Sequence, residues 1–74
     1  MKHRFLVVYD YGMGGVWGFI NARSREEIAA KYPKVQIIDE RPTWMSDEYF
    51  DSILKTSEFD IDDLPSGWLA KLDD

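Results

Sequence analysis

The chain has 74 residues, no cysteine and a net charge of −5. That length admits one domain, residues 1–74, and the absence of cysteine excludes disulfide staples, thiolate nucleophiles and cysteine-based zinc sites. The charge is uneven, with six Lys/Arg against three Asp/Glu in residues 1–37 and three against eleven in residues 38–74; the acidic half argues against general nucleic-acid binding, which needs basic residues at phosphates.

No apolar run approaches the roughly 18 residues of a membrane span. The start, Met1-Lys2-His3-Arg4, leads into Phe5–Tyr9 without a signal-peptide pattern, so the expected location is the cytoplasm and no membrane partner is expected. A domain this short buries only about 60% of its unfolded surface. Three Trp, four Tyr and four Phe offer large rings to compensate, and homodimerisation is a second way to remove apolar surface.

Arg4–Tyr11 is rich in β-branched and aromatic residues and reads as a strand stopped by Gly12. Val16–Ala22 reads as its hairpin partner, joined through Gly12-Met13-Gly14-Gly15. A turn centred on Met13-Gly14 sets Tyr9 opposite Gly18, Val7 opposite Ile20 and Val8 opposite Phe19, with the Tyr9 ring over the bare glycine. Both faces of this hairpin are largely apolar, so both are expected to be covered, by helices or by a second copy of the chain.

Ser24-Arg25-Glu26-Glu27 is a capping box, in which Ser24 and Glu27 each satisfy a free amide. It opens a helix that buries Ile28 and Tyr32 and ends at Pro33. Val35–Ile38 is a short third strand, expected antiparallel to the first. Ser46 caps a second helix, with Asp47 and Glu48 in its first turn and Tyr49, Phe50, Ile53 and Leu54 as one apolar stripe. Trp44 or Met45 is the candidate staple before that cap. Thr56–Asp63 is extended and acidic, either an edge strand or an ordered loop. Asp63 is the expected cap of a last short helix presenting Trp68, Leu69 and Leu72. The expected fold is α+β: a small, mainly antiparallel sheet (β-hairpin, helix, third strand) followed by two short C-terminal helices.

The glycine-rich segment is not a phosphate cradle, because a strand rather than a helix follows it and no Gly-Lys-Ser/Thr is present. Glu58, Asp60, Asp62 and Asp63 invite comparison with a calcium loop, but Leu64 and Pro65 stand where a ligand and a glycine belong; a solvated acidic loop is the better description. His3 is the only histidine and lies at the chain's start, so no Ser-His-Asp arrangement or imidazole metal site is indicated. No catalytic, cofactor-binding or metal-binding residue is assigned. Asp10 interrupts an apolar strand. It either accepts bonds from turn amides or pairs with an arginine such as Arg41, or it anchors a shallow aromatic pocket with Trp17. Of the three tryptophans, Trp44 is the one expected at the surface, with Arg41 and Met45 beside it as a contact patch.

Val7-Val8-Tyr9-Asp10-Tyr11-Gly12, Gly14-Gly15, Trp17, the Ser24–Glu27 box, Tyr32-Pro33 and Pro42-Thr43-Trp44-Met45 together resemble a group of short bacterial proteins of unassigned function. The resemblance extends to Phe59-Asp60-Ile61-Asp62 and Pro65-Ser66-Gly67-Trp68-Leu69. It implies a bacterial setting and carries no activity or site.

The expectation is a non-enzymatic protein-binding module, of the type of a small acidic inhibitor or regulatory protein docking a basic partner. Its contact residues are expected to be Trp17, Arg41, Trp44, Met45, Asp60, Asp62 and Asp63. The alternative is a small-ligand-binding protein or minor enzyme with a pocket at the hairpin tip, built from Asp10, Tyr11 and Trp17. A homodimer formed through an exposed strand edge or through the second face of the sheet is a third possibility.

Overall fold

The computed structural model describes residues 1–12 and 14–72, so Met13, at the centre of the expected turn, lies outside the described residues. The elements run β1 (His3–Asp10), β2 (Gly15–Ala22), α1 (Arg25–Lys31), β3 (Gln36–Ile38), α2 (Asp47–Thr56), β4 (Glu58–Asp60) and a 3-10 helix (Gly67–Lys71). The strands form one sheet in the order β3-β1-β2-β4. β1 is antiparallel to both β2 and β3, whereas β4 is parallel to β2. Of the acidic stretch Thr56–Asp63, only Glu58–Asp60 is an edge strand; Thr56 ends α2, and residues 61–63 form a turn in which Asp63 N–H donates to Asp60 O at 3.1 Å. The strand's parallel direction follows from its history: α2 carries the chain from the β3 edge of the sheet to the opposite edge, as a parallel connection requires.

The hairpin register differs from the expected one by two residues. Tyr9 lies opposite Val16, Val7 opposite Gly18, Phe5 opposite Ile20 and Val8 opposite Trp17. The turn closes earlier because Tyr11 N–H donates to Gly14 O at 3.2 Å, with Gly12 at φ 92° supplying a backbone geometry that L side chains rarely adopt. A shift of two leaves every side chain on its expected face, since strand side chains alternate with period two. It does reassign the cover of Gly18, which is approached by Trp68 and Phe59 rather than by Tyr9.

Each face of the sheet is closed by its own layer. On one face, Val7, Ile20 and Ala22 pack with Ile28 and Tyr32 at α1, with Val35 and Ile61, and with Leu69 and Leu72 of the closing segment. On the other, Leu6 and Phe19 pack with Met45 and Ile53, flanked by Trp17, Ile38, Phe50 and Leu54. Helices within the chain thus cover both faces.

The caps form with one adjustment. Ser24 Oγ accepts from Glu27 N–H at 3.2 Å, but the Glu27 carboxylate accepts from Arg23 N–H at 2.8 Å rather than from Ser24 itself. Ser46 Oγ accepts from Tyr49 N–H at 3.1 Å. The final element is not the expected second C-terminal α-helix. It is a five-residue 3-10 helix preceded by Ser66, not Asp63, and Ser66 makes no side-chain capping bond. Gly67, at φ 55°, lies outside the right-handed helical range. The segment therefore tightens into i→i+3 bonds, Leu69 N–H to Ser66 O and Leu72 N–H to Leu69 O.

Candidate functional site

Three rings from separate elements meet on the α2 side of the sheet. Trp17 lies on β2, Trp44 in the loop after β3 and Tyr49 in the first turn of α2. Trp44 stands nearly perpendicular to both neighbours, with ring centroids 5.4 Å from Trp17 and 5.6 Å from Tyr49. Edge-to-face contacts at this spacing are favourable and orient the rings. Trp44 is nevertheless 60% exposed and Tyr49 43% exposed. The indole is thus held in place from two sides and presented to solvent. The loop positions it by a turn in which Met45 N–H donates to Pro42 O at 3.0 Å.

The other expected contact residues are placed differently. Met45 is 3% exposed and belongs to the core beneath Trp44, because it precedes the Ser46 cap and turns inward as the staple. Arg41 is exposed, reaches Asp47 at 2.8 Å and lies over the Phe50 ring at 5.2 Å. Tyr49 was expected on the buried stripe of α2. Helical spacing does not show that it is 43% exposed and that Trp44, from the preceding loop, is the ring it meets.

Asp60 and Asp62 form no part of the aromatic surface. Asp62 bridges Arg23 at 2.8 Å and Lys2 at 2.6 Å, and Asp60 takes a second bond from Lys2 at 2.6 Å. Asp60 Oδ1 also accepts from Asp62 N–H at 3.0 Å. Arg23, then Lys2, hold the Asp62 carboxyl well below the usual range, and Lys2, then the Asp62 amide, lower Asp60. The same contacts raise Lys2 and Arg23. The Asp63 side chain makes no bond within the described residues; its carbonyl and that of Ile61 accept from Lys31 Nζ at 2.9 and 2.6 Å. The acidic turn is therefore tied to the start of β1, the end of β2 and to α1. Among the described residues no three His, Cys, Asp or Glu side chains gather as metal ligands. No helix there is long and apolar enough to cross a membrane.

At the hairpin end of the same sheet face lies a shallow concavity of about 430 Å³, lined by Val8, Asp10, Trp17, Gln36, Ile38 and the turn glycines. Asp10 is exposed, and its Oδ1 accepts from Gly12 N–H at 2.8 Å, the turn-stabilising role. Tyr11 is not part of this lining; its ring tilts against Tyr9 at 6.4 Å, on the opposite side of the strand.

The fold thus joins Trp17 and Trp44, adds Tyr49, leaves Arg41 alongside over Phe50, and separates Asp60, Asp62 and Asp63 into a structural turn. Comparison of the chain with protein-family models, with curated proteins and with solved structures finds no match to any of them.

Proposed function

We propose that the protein is a non-enzymatic protein-binding module that takes a basic segment of a partner protein onto the Trp17–Trp44–Tyr49 surface. The observation that carries this is Trp44, an indole fixed between two rings yet 60% exposed. A large ring with little rotamer entropy left to lose is a favourable interface anchor, and its face attracts Lys or Arg. Glu40, ahead of Trp44, and Glu48, beside Tyr49, have no cationic partner among the described residues. Each stands four residues from Trp44 along the chain and adds negative charge to the segment that carries the rings. The internally neutralised Asp60 and Asp62 are not required.

Tryptophan fluorescence titration with an arginine-rich peptide and with its glutamate-substituted counterpart tests this. The expected result is a saturable change with the basic peptide alone, abolished in Trp44→Ala and kept in Asp60→Asn. Equal responses to both peptides, or an unchanged response in Trp44→Ala, would overturn it.

The concavity beside Asp10 and Trp17 favours a second reading, a small-ligand or minor enzymatic site at the hairpin end. Thermal-shift screening with metabolites and nucleotides separates the two, since this site predicts stabilisation that Asp10→Asn removes and Trp44→Ala spares.

A further inference from the structure

Farther along the α2 face, away from the hairpin turn, a second groove of about 370 Å³ is lined by Arg4, Leu6, Phe19, Ile38, Arg41 and Phe50, together with Phe5 and the carboxylate-bearing Asp39. Arg4 reaches it because it shares a strand face with Leu6 and Val8. Phe19 and Phe50 form the floor, edge-to-face with centroids 5.0 Å apart. The Arg4 guanidinium lies 5.3 Å from the Phe19 ring centre, and that of Arg41 lies 5.2 Å from the Phe50 ring centre.

The charge state of this groove is unusual for the chain. Fourteen carboxylate side chains are available, yet Arg4 pairs with none among the described residues and donates to no acceptor there. Among the described residues all five of its N–H donors are uncommitted. Arg41 gives one nitrogen to Asp47 and keeps its other donors. The one carboxylate in the lining, Asp39, has both oxygens engaged by Arg25, whose guanidinium the pair holds firmly charged. Two guanidiniums therefore stand over an aromatic floor, Arg4 without a carboxylate partner among the described residues and Arg41 bonded to Asp47 through one nitrogen only, while the acid of the lining, Asp39, is engaged by Arg25. Guanidinium donors match carboxylate and phosphate oxygens in geometry and charge, and the groove volume falls in the range of small-molecule sites, roughly 300–1,000 Å³.

We propose that this groove binds a small organic anion. Its carboxylate or phosphate head is taken by Arg4 and Arg41, and its apolar or aromatic body lies against Phe50 and Ile38, the partly buried apolar side chains of the lining, above the buried Phe19 and Leu6. The site is separate from the Trp44 surface, so either can fail without the other.

NMR titration of the full chain with phenyl phosphate, phenylacetate and the neutral benzyl alcohol tests it, with the aromatic signals of Phe19 and Phe50 and the methyls of Leu6 and Ile38 as readout. The expected result is saturable shifts confined to these residues with one or both anions, weakened about tenfold or more in Arg4→Gln and in Arg41→Gln and unchanged in Trp44→Ala. The stronger of the two anions identifies the head group. Arg4 is exposed, and an unchanged backbone spectrum of Arg4→Gln verifies its fold; Arg41→Gln is the independent variant. Absence of saturable shifts with both anions, equal binding of benzyl alcohol, or unweakened binding in both arginine variants would overturn the proposal.

Discussion

Trp44 meets Trp17 nearly perpendicularly, at 5.4 Å between ring centres and an interplanar angle of 76°. The contact fastens the loop before α2 to the second strand of the sheet. The two rings differ in burial: Trp17 is half-buried against the Leu6–Phe19 core, and Trp44 is mostly in solvent. Trp17→Ala is expected to lower stability by about 2–3 kcal/mol, short of the cost for a fully buried ring. Trp44→Ala is expected to cost about 1 kcal/mol, chiefly its lost ring contacts. Urea denaturation of both variants checks the ordering, and equal losses would mean that Trp44 serves mainly to hold the loop.

Gly18 admits no side chain. A Cβ there would stand 2.9 Å from Ser57 O, 2.9 Å from Trp68 Cζ2 and 3.2 Å from Phe59 Cε2. Ser57 O cannot yield freely, because it accepts from Phe19 N–H at 2.8 Å where the chain leaves α2. Gly18→Ala is expected to destabilise by about 1–3 kcal/mol through this overpacking. It is also expected to loosen the 3-10 helix, seen as altered near-ultraviolet dichroism from Trp68.

The ion pairs at the acidic turn set a pH dependence. Asp60 and Asp62 have folded-state pKa values below their unfolded values, through Lys2 and Arg23. Their stabilisation is therefore present above the unfolded carboxylate value, about 4, and is lost as the pH falls through the folded values. Lys2 is raised, so its share is present below about 10.4 and is lost as the pH climbs through its folded value. Unfolding midpoints should fall on acidification below about pH 4 and on strong alkalinisation. Asp62→Asn should flatten the acid limb. Because these groups are solvent-screened, the difference between wild type and Asp62→Asn at neutral pH should shrink with added salt.

The three helix starts make a graded series. Ser24 and Ser46 each accept a capping bond, and Ser66 accepts none. Ser24→Ala and Ser46→Ala are each expected to lose about 1 kcal/mol. Ser66→Ala should be close to neutral, within about 0.5 kcal/mol. Thermal unfolding of the three variants under one set of conditions measures the series.

Much of this architecture is written in local patterns. The two-sided apolar hairpin required cover on both faces, and α1 and α2 supply it. The Ser24 and Ser46 caps begin helices where expected because a cap is a local contest for three or four amide protons. Pro33 and the turn glycines end elements for equally local reasons. What local patterns could not decide was the hairpin register to within two residues, since a shift of two leaves the side-chain alternation intact and only the turn hydrogen bond distinguishes the alternatives. The 3-10 form of the last segment depends on the backbone angle of Gly67.

The sites depended on tertiary structure more heavily still. Sequence alone determined that cysteine chemistry and phosphate-loop chemistry are excluded, and that Trp44, after a proline-containing loop, would reach the surface. It grouped Asp60, Asp62 and Asp63 with the tryptophans as one charged contact set, because net charge counts acids without locating their counter-ions. The fold brings Lys2 and Arg23, distant in the chain, against Asp60 and Asp62, so much of that acidity is neutralised within the molecule. It also turns Met45 inward and Tyr49 outward, and it sets Arg4 and Arg41, from opposite halves of the chain, over one pair of phenylalanines. Pairings between remote residues are fixed by sheet order and helix crossing, and those are properties of the assembled chain.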